Sequence, residues 1–125
     1  MRIRPERVAH LMRREIADIL QNKLRDPRLS TMVSVTDVEV THDLSLAKVY
    51  VSMLAEGPER ERSMHTLQSA AGYVRRELGP RLGLREVPEL RFEVDTSIER
   101  GARVDEILRR LHDGEVIEDD EGGAP

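Results

Sequence analysis

Apolar residues fall into two rhythms along this chain. Val8, Leu11, Met12, Ile16, Ile19 and Leu20 recur at the three- and four-residue spacing of one helix face. Pro5 suits the first turn of that helix, and the pattern continues to about Lys23. Arg7, Arg13, Arg14 and Asp18 lie mostly off the apolar stripe. Asp26-Pro27 stops the helix, because proline disfavours helical geometry in its predecessor. The period then becomes two. Val33 and Val35 alternate with polar residues, and Val38 and Val40 do so in the opposite phase. The slip at Thr36-Asp37 fits a β-bulge, or a strand covered on both faces near its middle. Ala47, Val49, Val51 and Met53 alternate with Lys48, Tyr50 and Ser52. The short polar stretch from Thr41 to Ser45 predicts an antiparallel hairpin between the two strands.

The second half begins with a stop and a helix start at Glu56-Gly57-Pro58-Glu59. Met64, Leu67, Ala71, Val74 and Leu78 keep helical spacing from there, but Ala70, Ala71 and Gly72 interrupt the bulk of that face. A glycine in a helix interior costs roughly 1 kcal/mol against alanine, so it marks a kink or a close approach. Arg75 and Arg76 follow within one turn. A kink without bulky side chains, a helix start and adjacent cations suit a phosphate backbone. A plain helix–turn–helix corner packed on a sheet explains the same residues. The second helix runs to about Leu82, with Gly79-Pro80 placed to pinch its end, and a loop carrying Arg85 follows. Leu90 to Val94 alternates as a third strand. Thr96-Ser97-Ile98-Glu99 is a capping box that opens a last helix with Val104, Ile107, Leu108 and Leu111 on one face. The predicted fold is therefore α+β in the order α-β-β-α-α-β plus a final helix. Helices cover one face of a three-stranded sheet, and Lys48, Tyr50, Ser52, Arg91 and Glu93 lie on the other.

Charge changes the picture more than composition does. The net charge is −4, which argues against a nucleic-acid partner. Yet six acids and no base lie in the last fourteen residues, from His112 on, and residues 1–111 alone carry +2. The first thirty residues hold eight bases against four acids. A basic head and an acidic tail permit local binding to an anionic surface. Eighteen of the twenty bases are arginine, which suits bidentate phosphate contacts, though a GC-rich genome produces the same bias. Tyr50, Tyr73 and Phe92 are too few to stack several bases, so RNA would be bound by shape and phosphate contacts.

The remaining chemistry is largely excluded. There is no cysteine, so disulfides and thiolate sites are absent. His10, His42, His65 and His112 show no metal-ligand spacing, and no nucleophile motif is present, so no enzyme, metal or cofactor is expected. No apolar run approaches the roughly 18 residues of a membrane span, and no signal core follows Met1 to Arg7, which predicts a cytoplasmic protein. The length suits one domain, drawn at residues 1–111, followed by an acidic, disordered tail at 112–125.

The element order is that of type II KH domains, which clamp nucleic-acid backbones with a Gly-x-x-Gly loop. Here Ala70-Ala71-Gly72 stands in that place. In this the chain resembles the bacterial ribosome-binding factor A family, a KH-like fold with an Ala-x-Gly helical kink. The resemblance extends through Arg7-Val8-Ala9, Arg13 to Leu20, Asp26-Pro27-Arg28-Leu29, Val35 to Val40, Asp43-Leu44-Ser45 and Ala47 to Ser52. It continues through Pro88 to Phe92 and closes on Asp95 and Ser97 to Gly101, so about residues 2–111 are covered. It implies a non-enzymatic assembly factor, generally monomeric, that binds the 30S subunit and its 16S rRNA. Support of late maturation, including processing of the rRNA 5′ end, is implied too, and so are a role in the cold and release by a maturation GTPase. Without Gly-x-x-Gly, four-nucleotide recognition of the KH kind is not carried over.

The candidate RNA face joins the basic head to the kink. It comprises Arg4 and Arg7, the cluster Lys23, Arg25 and Arg28, the kink residues Ala70, Ala71 and Gly72, and then Arg75, Arg76, Arg81 and Arg85. A solvated surface charge is the plain alternative for each arginine, and Glu15 and Glu77 are placed to weaken the patch. Asp95 and Ser97 read chiefly as structural. Two other functions compete with ribosome assembly: a protein-interaction module, and a generic KH-like RNA binder unconnected with ribosomes.

Overall fold

The structure is a computed structural model. It describes residues 4–24 and 33–112, and the side chains of all of these except 98–104. The first helix, α1 (Pro5–Asn22), buries Val8, Met12, Ile16, Ile19 and Leu20, the stripe expected from their spacing. Leu11 sits half-buried at its margin. The Asp26-Pro27 stop lies outside the described residues. The helix is already ending before it, where Lys23 N–H still donates to the Ile19 carbonyl at 2.9 Å.

Strand β1 (Ser34–Val40) pairs antiparallel with β2 (Leu46–Ser52), and the register slips between Val35 and Asp37. Thr36 is thus the extra residue of a bulge. The bulge returns Val35, Val38 and Val40 to one face, where all three pack on the core. Thr36 is also tied down. Its hydroxyl donates to Asp95 Oδ2 at 2.5 Å and lies 3.3 Å from the Tyr50 carbonyl. Strand β3 (Glu89–Val94) runs parallel to β2 on its other side, so β2 is the middle strand. The pairing lines up Val38, Val49 and Phe92 in one inward row and Val40, Ala47 and Leu90 in the next. The outward rows are Glu39–Lys48–Arg91 and Asp37–Tyr50–Glu93.

Parallel neighbours need a crossover, and two helices supply it. These are α2 (Gly57–Ser69) and α3 (Ala71–Leu82). They add Leu67, Val74 and Leu78 to the same core face as α1. Pro80 lies inside α3 rather than at its end, so Gly79-Pro80 does not pinch the helix short. Gly83 stops it instead, in the left-handed conformation at φ 66°, with its N–H on the Gly79 carbonyl. The result is the α+β, KH-like order expected from the sequence, with α1, α2 and α3 on one face of the sheet.

The described residues divide after Asp95 into two compact units, the second beginning at Thr96. Within the second, α4 (Ser97–His112) starts directly after Thr96, and Arg110 pairs with Glu106 one turn back at 3.4 Å. The expected acidic tail lies outside the described residues, apart from His112 at its first position.

The Thr36–Asp95 bond joins the two outer strands across the end of β2. Thr36→Val keeps the branched shape and deletes the donor. It is expected to cost about 1–3 kcal/mol by removing one hydrogen bond to a part-buried carboxylate. Urea unfolding at unchanged m-value checks it.

Candidate nucleic-acid interface

The joint between α2 and α3 is one residue wide. Ala70 ends one helix and begins the other at φ −87°, ψ −1°. Its N–H is shared between the Thr66 and Leu67 carbonyls, both at 3.0 Å, and its own carbonyl accepts from Val74 N–H at 3.0 Å. The bend therefore sits at Ala70, and Gly72 follows it in ordinary helical geometry. A Cβ built on Gly72 meets nothing within 4 Å. Nothing in the described fold requires glycine there. Ala71 packs against the core, and Gly72 is exposed.

Two side chains of this crossover hold the outer edge of β3. Gln68 donates to the Leu90 carbonyl at 3.2 Å and accepts from Phe92 N–H at 3.0 Å, as a neighbouring strand would. Arg75 donates to the Val87 carbonyl at 2.8 Å and the Pro88 carbonyl at 3.1 Å. Carbonyls fix the guanidinium without cancelling its charge. Arg75 thus stands as an oriented cation at the mouth of an open hollow of about 530 Å³. Arg76, Arg85, Leu44 and Ser45 line that hollow, with Glu86 and Val87. Arg76 and Arg85 are exposed, and neither has an ion-pair partner among the described residues.

The hairpin that completes the hollow is stiff. Asp43 Oδ1 accepts from the Ser45 hydroxyl at 2.7 Å, the Thr41 hydroxyl at 2.8 Å and Ser45 N–H at 3.0 Å. These bonds, the Ser45 hydroxyl first, hold the Asp43 carboxyl below its ordinary value. They also hold Leu44 at φ 63°, a conformation leucine rarely adopts. The start of α1 lies at the same end of the sheet, since Pro5 and Glu6 border Val40. Arg4 and Arg7 are exposed there. Cations at a helix start oppose the helix dipole, so stability does not explain them.

The other candidates divide. Arg81 turns inward to α1, donating to Asp18 at 2.6 Å and Glu15 at 3.2 Å. The Asp18 bond, ahead of the Glu15 bond, raises its affinity for the proton, and its charge is answered by two carboxylates. Its place is a clamp between α1 and α3. Lys23 is exposed at the far end of α1 from Arg4. Arg25 and Arg28 lie outside the described residues. The structure therefore gathers Arg75, Arg76 and Arg85 on one hollow, with Arg4 and Arg7 at the same end of the sheet; Ala70, Ala71 and Gly72 precede Arg75 by about one turn and do not line that hollow. Sequence reasoning missed the part of Leu44 and Ser45 in the hollow, although the short polar hairpin was the available signal.

A family model described as ribosome-binding factor A matches residues 4–108. The chain belongs to the ribosome-binding factor A family. It is 51% identical over 105 residues to the ribosome-binding factor A of Acetivibrio thermocellus, covering 84% of this chain and 85% of that one. The crystal structure of ribosome-binding factor A from Thermus thermophilus superposes with a TM-score of 0.64 at 28% identity, covering 72% of this chain and 94% of that one. A Thermus thermophilus homology model fitted into the cryo-EM map of a 30S complex of that factor matches with a TM-score of 0.58 at 28% identity, covering 71% of this chain and 96% of that one.

Two measurements follow from this geometry. Gly72→Ala is expected to raise stability by up to about 1 kcal/mol in urea unfolding, because the helix gains and no contact is lost. Arg81 and, after it, the Asn22 amide hold Asp18 below the ordinary 3.8 of an aspartate. A lowered carboxylate stabilises fully above the ordinary value, and that contribution is lost as pH falls through the lowered one. Asp18→Asn is therefore expected to flatten the acid limb of the stability profile below about pH 4.

Proposed function

We propose that this protein is a ribosome-associated assembly factor that binds the 30S subunit through 16S rRNA. One observation carries the reading. Three arginines, one of them pre-oriented by two backbone carbonyls, meet on an open hollow one turn past a joint without bulky side chains. Phosphates of rRNA suit such a hollow, and the bare backbone at Ala70, Ala71 and Gly72 leaves room for the strand to lie close. The 30S complex to which the Thermus relative was fitted supports the same partner.

In this reading residues 1–111 make the ribosome-binding domain and residues 112–125 an acidic tail. The protein acts as a cytoplasmic monomer without catalysis of its own. It supports late maturation of the subunit, including processing at the rRNA 5′ end, and a maturation GTPase releases it. Among the described residues no helix is long and apolar enough to cross a membrane.

Co-sedimentation with small subunits, large subunits and free oligonucleotides across a salt series tests the proposal. Selective pelleting with small subunits is expected, falling steeply with salt. Arg76→Glu with Arg85→Glu is expected to cost about tenfold or more in affinity and to lower the salt slope by about 2. Gly72→Ala is expected to weaken binding despite its gain in stability. Equal binding to every RNA would leave a generic RNA binder, and salt-insensitive pelleting would point to a protein partner.

A further inference from the structure

The two edges of the sheet are treated differently. Gln68 seals the edge of β3. The edge of β1 has no strand beside it among the described residues. Thr41 N–H donates to the Leu46 carbonyl at 2.9 Å. By the alternation of an antiparallel ladder, Asp37 and Glu39 turn their main-chain groups to β2, and Val38 and Val40 turn theirs outward. Asp37 Oδ1 accepts the Val38 N–H at 2.8 Å, which leaves the Val38 carbonyl and both groups of Val40 for a partner. A groove follows this edge under α1. It consists of two hollows of about 450 and about 350 Å³ that meet at His10 and Arg13.

Charge decides what the groove accepts. Asp37 and Glu39 line it on the sheet side, with Lys48 opposite Glu39, and Glu6, Arg13 and Arg14 line the α1 side, so a phosphate backbone paired along β1 would meet the Asp37 carboxylate. A second copy pairing edge to edge about Val38 would set Asp37 opposite the other copy's Glu39, and like charges directly opposite destabilise a strand pair. The outward row Asp37–Tyr50–Glu93 holds two carboxylates and no base. One oxygen of Glu93 is buried there without a hydrogen-bond partner among the described residues. An added strand that places a base opposite Asp37 answers that carboxylate, whereas Glu93, two strands further in on β3, is beyond its reach. On the other wall Arg13 favours small or acidic inward positions.

We propose that the free edge of β1 and the groove beneath α1 bind an extended segment of a partner protein, with lysine or arginine at alternate positions, as a fourth strand. Main-chain bonds to Val38 and Val40 supply the pairing, and Asp37 and Glu39 select the bases. The site is separate from the arginine hollow and does not depend on the RNA reading.

The test is a titration of the full chain, followed by amide NMR and hydrogen exchange, with a capped peptide of roughly ten residues alternating lysine and threonine. Exchange of the Val40 amide is expected to slow about tenfold or more at saturation. The same peptide N-methylated at every second residue is expected to lose binding. Asp37→Asn keeps an oxygen for the Val38 N–H and removes the charge, and is expected to weaken binding about threefold. Arg76→Glu with Arg85→Glu is expected to leave peptide binding unchanged, so failure here and failure of the RNA proposal are distinguishable. Unaltered Val40 exchange, or equal binding of the N-methylated peptide, would overturn the proposal. So would protection of the Val40 amide by single-stranded RNA alone, with no peptide present, or concentration-dependent Val40 protection in the free protein, which would assign the edge to RNA or to a second copy.

Discussion

Strands β2 and β3 are parallel neighbours, so the chain must leave the end of β2 and return to its beginning before it can pair again. That single constraint shapes the protein. Ser52 and Glu89 bound a crossover of two helices that must lie on the covered face, because only there does the sheet offer Val49, Val51, Leu90 and Phe92 to bury against. Two helices on one sheet need a bend between them. Ala70 supplies it at little cost, because the shared hydrogen bonds to Thr66 and Leu67 keep its amide satisfied. The direction of α3 is then set, and with it the positions of Arg75, Arg76 and Arg81. Their different fates come from which side of α3 each one occupies.

Those fates show how little a count of arginines says about a binding face. Arg81 faces α1 and meets Asp18 and Glu15, so its field is largely cancelled at short range. Arg75 faces the loop before β3 and meets carbonyls, which orient it and leave the charge. Arg76 meets neither. Net charge misleads in the same way, since the acids that make the chain negative are concentrated in its last fourteen residues. At physiological ionic strength charges separated by more than roughly 8 Å are screened, so the local grouping governs what an anion meets.

The elements were legible where a local rule acts alone. The opposite phases of Val35 and Val38 could be satisfied on one core face only by inserting a residue, and Thr36 is that residue. The polar stretch from Thr41 to Ser45 could only be a turn. The small residues at 70–72 located the bend to within two positions, but glycine drew attention to the wrong one. Gly72 is helical and the break is at Ala70, because a one-residue αR joint needs no positive φ. Pro80 misled for a related reason: its missing N–H suggests a helix end, yet the turn that stops α3 is made by Gly83. The role of Arg81 was out of reach, since its partners lie 63 and 66 residues away and meet it only through packing of α1 on α3. The hollow was hidden for the same reason, being built from a hairpin, a helix and a loop far apart in sequence.

The contrast between the sheet edges is the part of the design that local rules do not explain. An exposed edge is a hazard, and proteins usually cover or charge it. Gln68 uses both ends of its carboxamide to cover β3, in a helix that could have carried any good helix former there. On β1 the protection is electrostatic: Asp37 blocks one donor, and Asp37 and Glu39 repel a like strand. That defence is selective. In the proposal above, it disfavours a like-charged strand and is reversed by a strand carrying the opposite charge. A covered edge is closed to all partners, whereas a charged edge remains open to one chemistry. The two proposed sites, for RNA at the hairpin end and for a protein strand along β1, are compatible in one fold, because they draw on different residues and opposite charges.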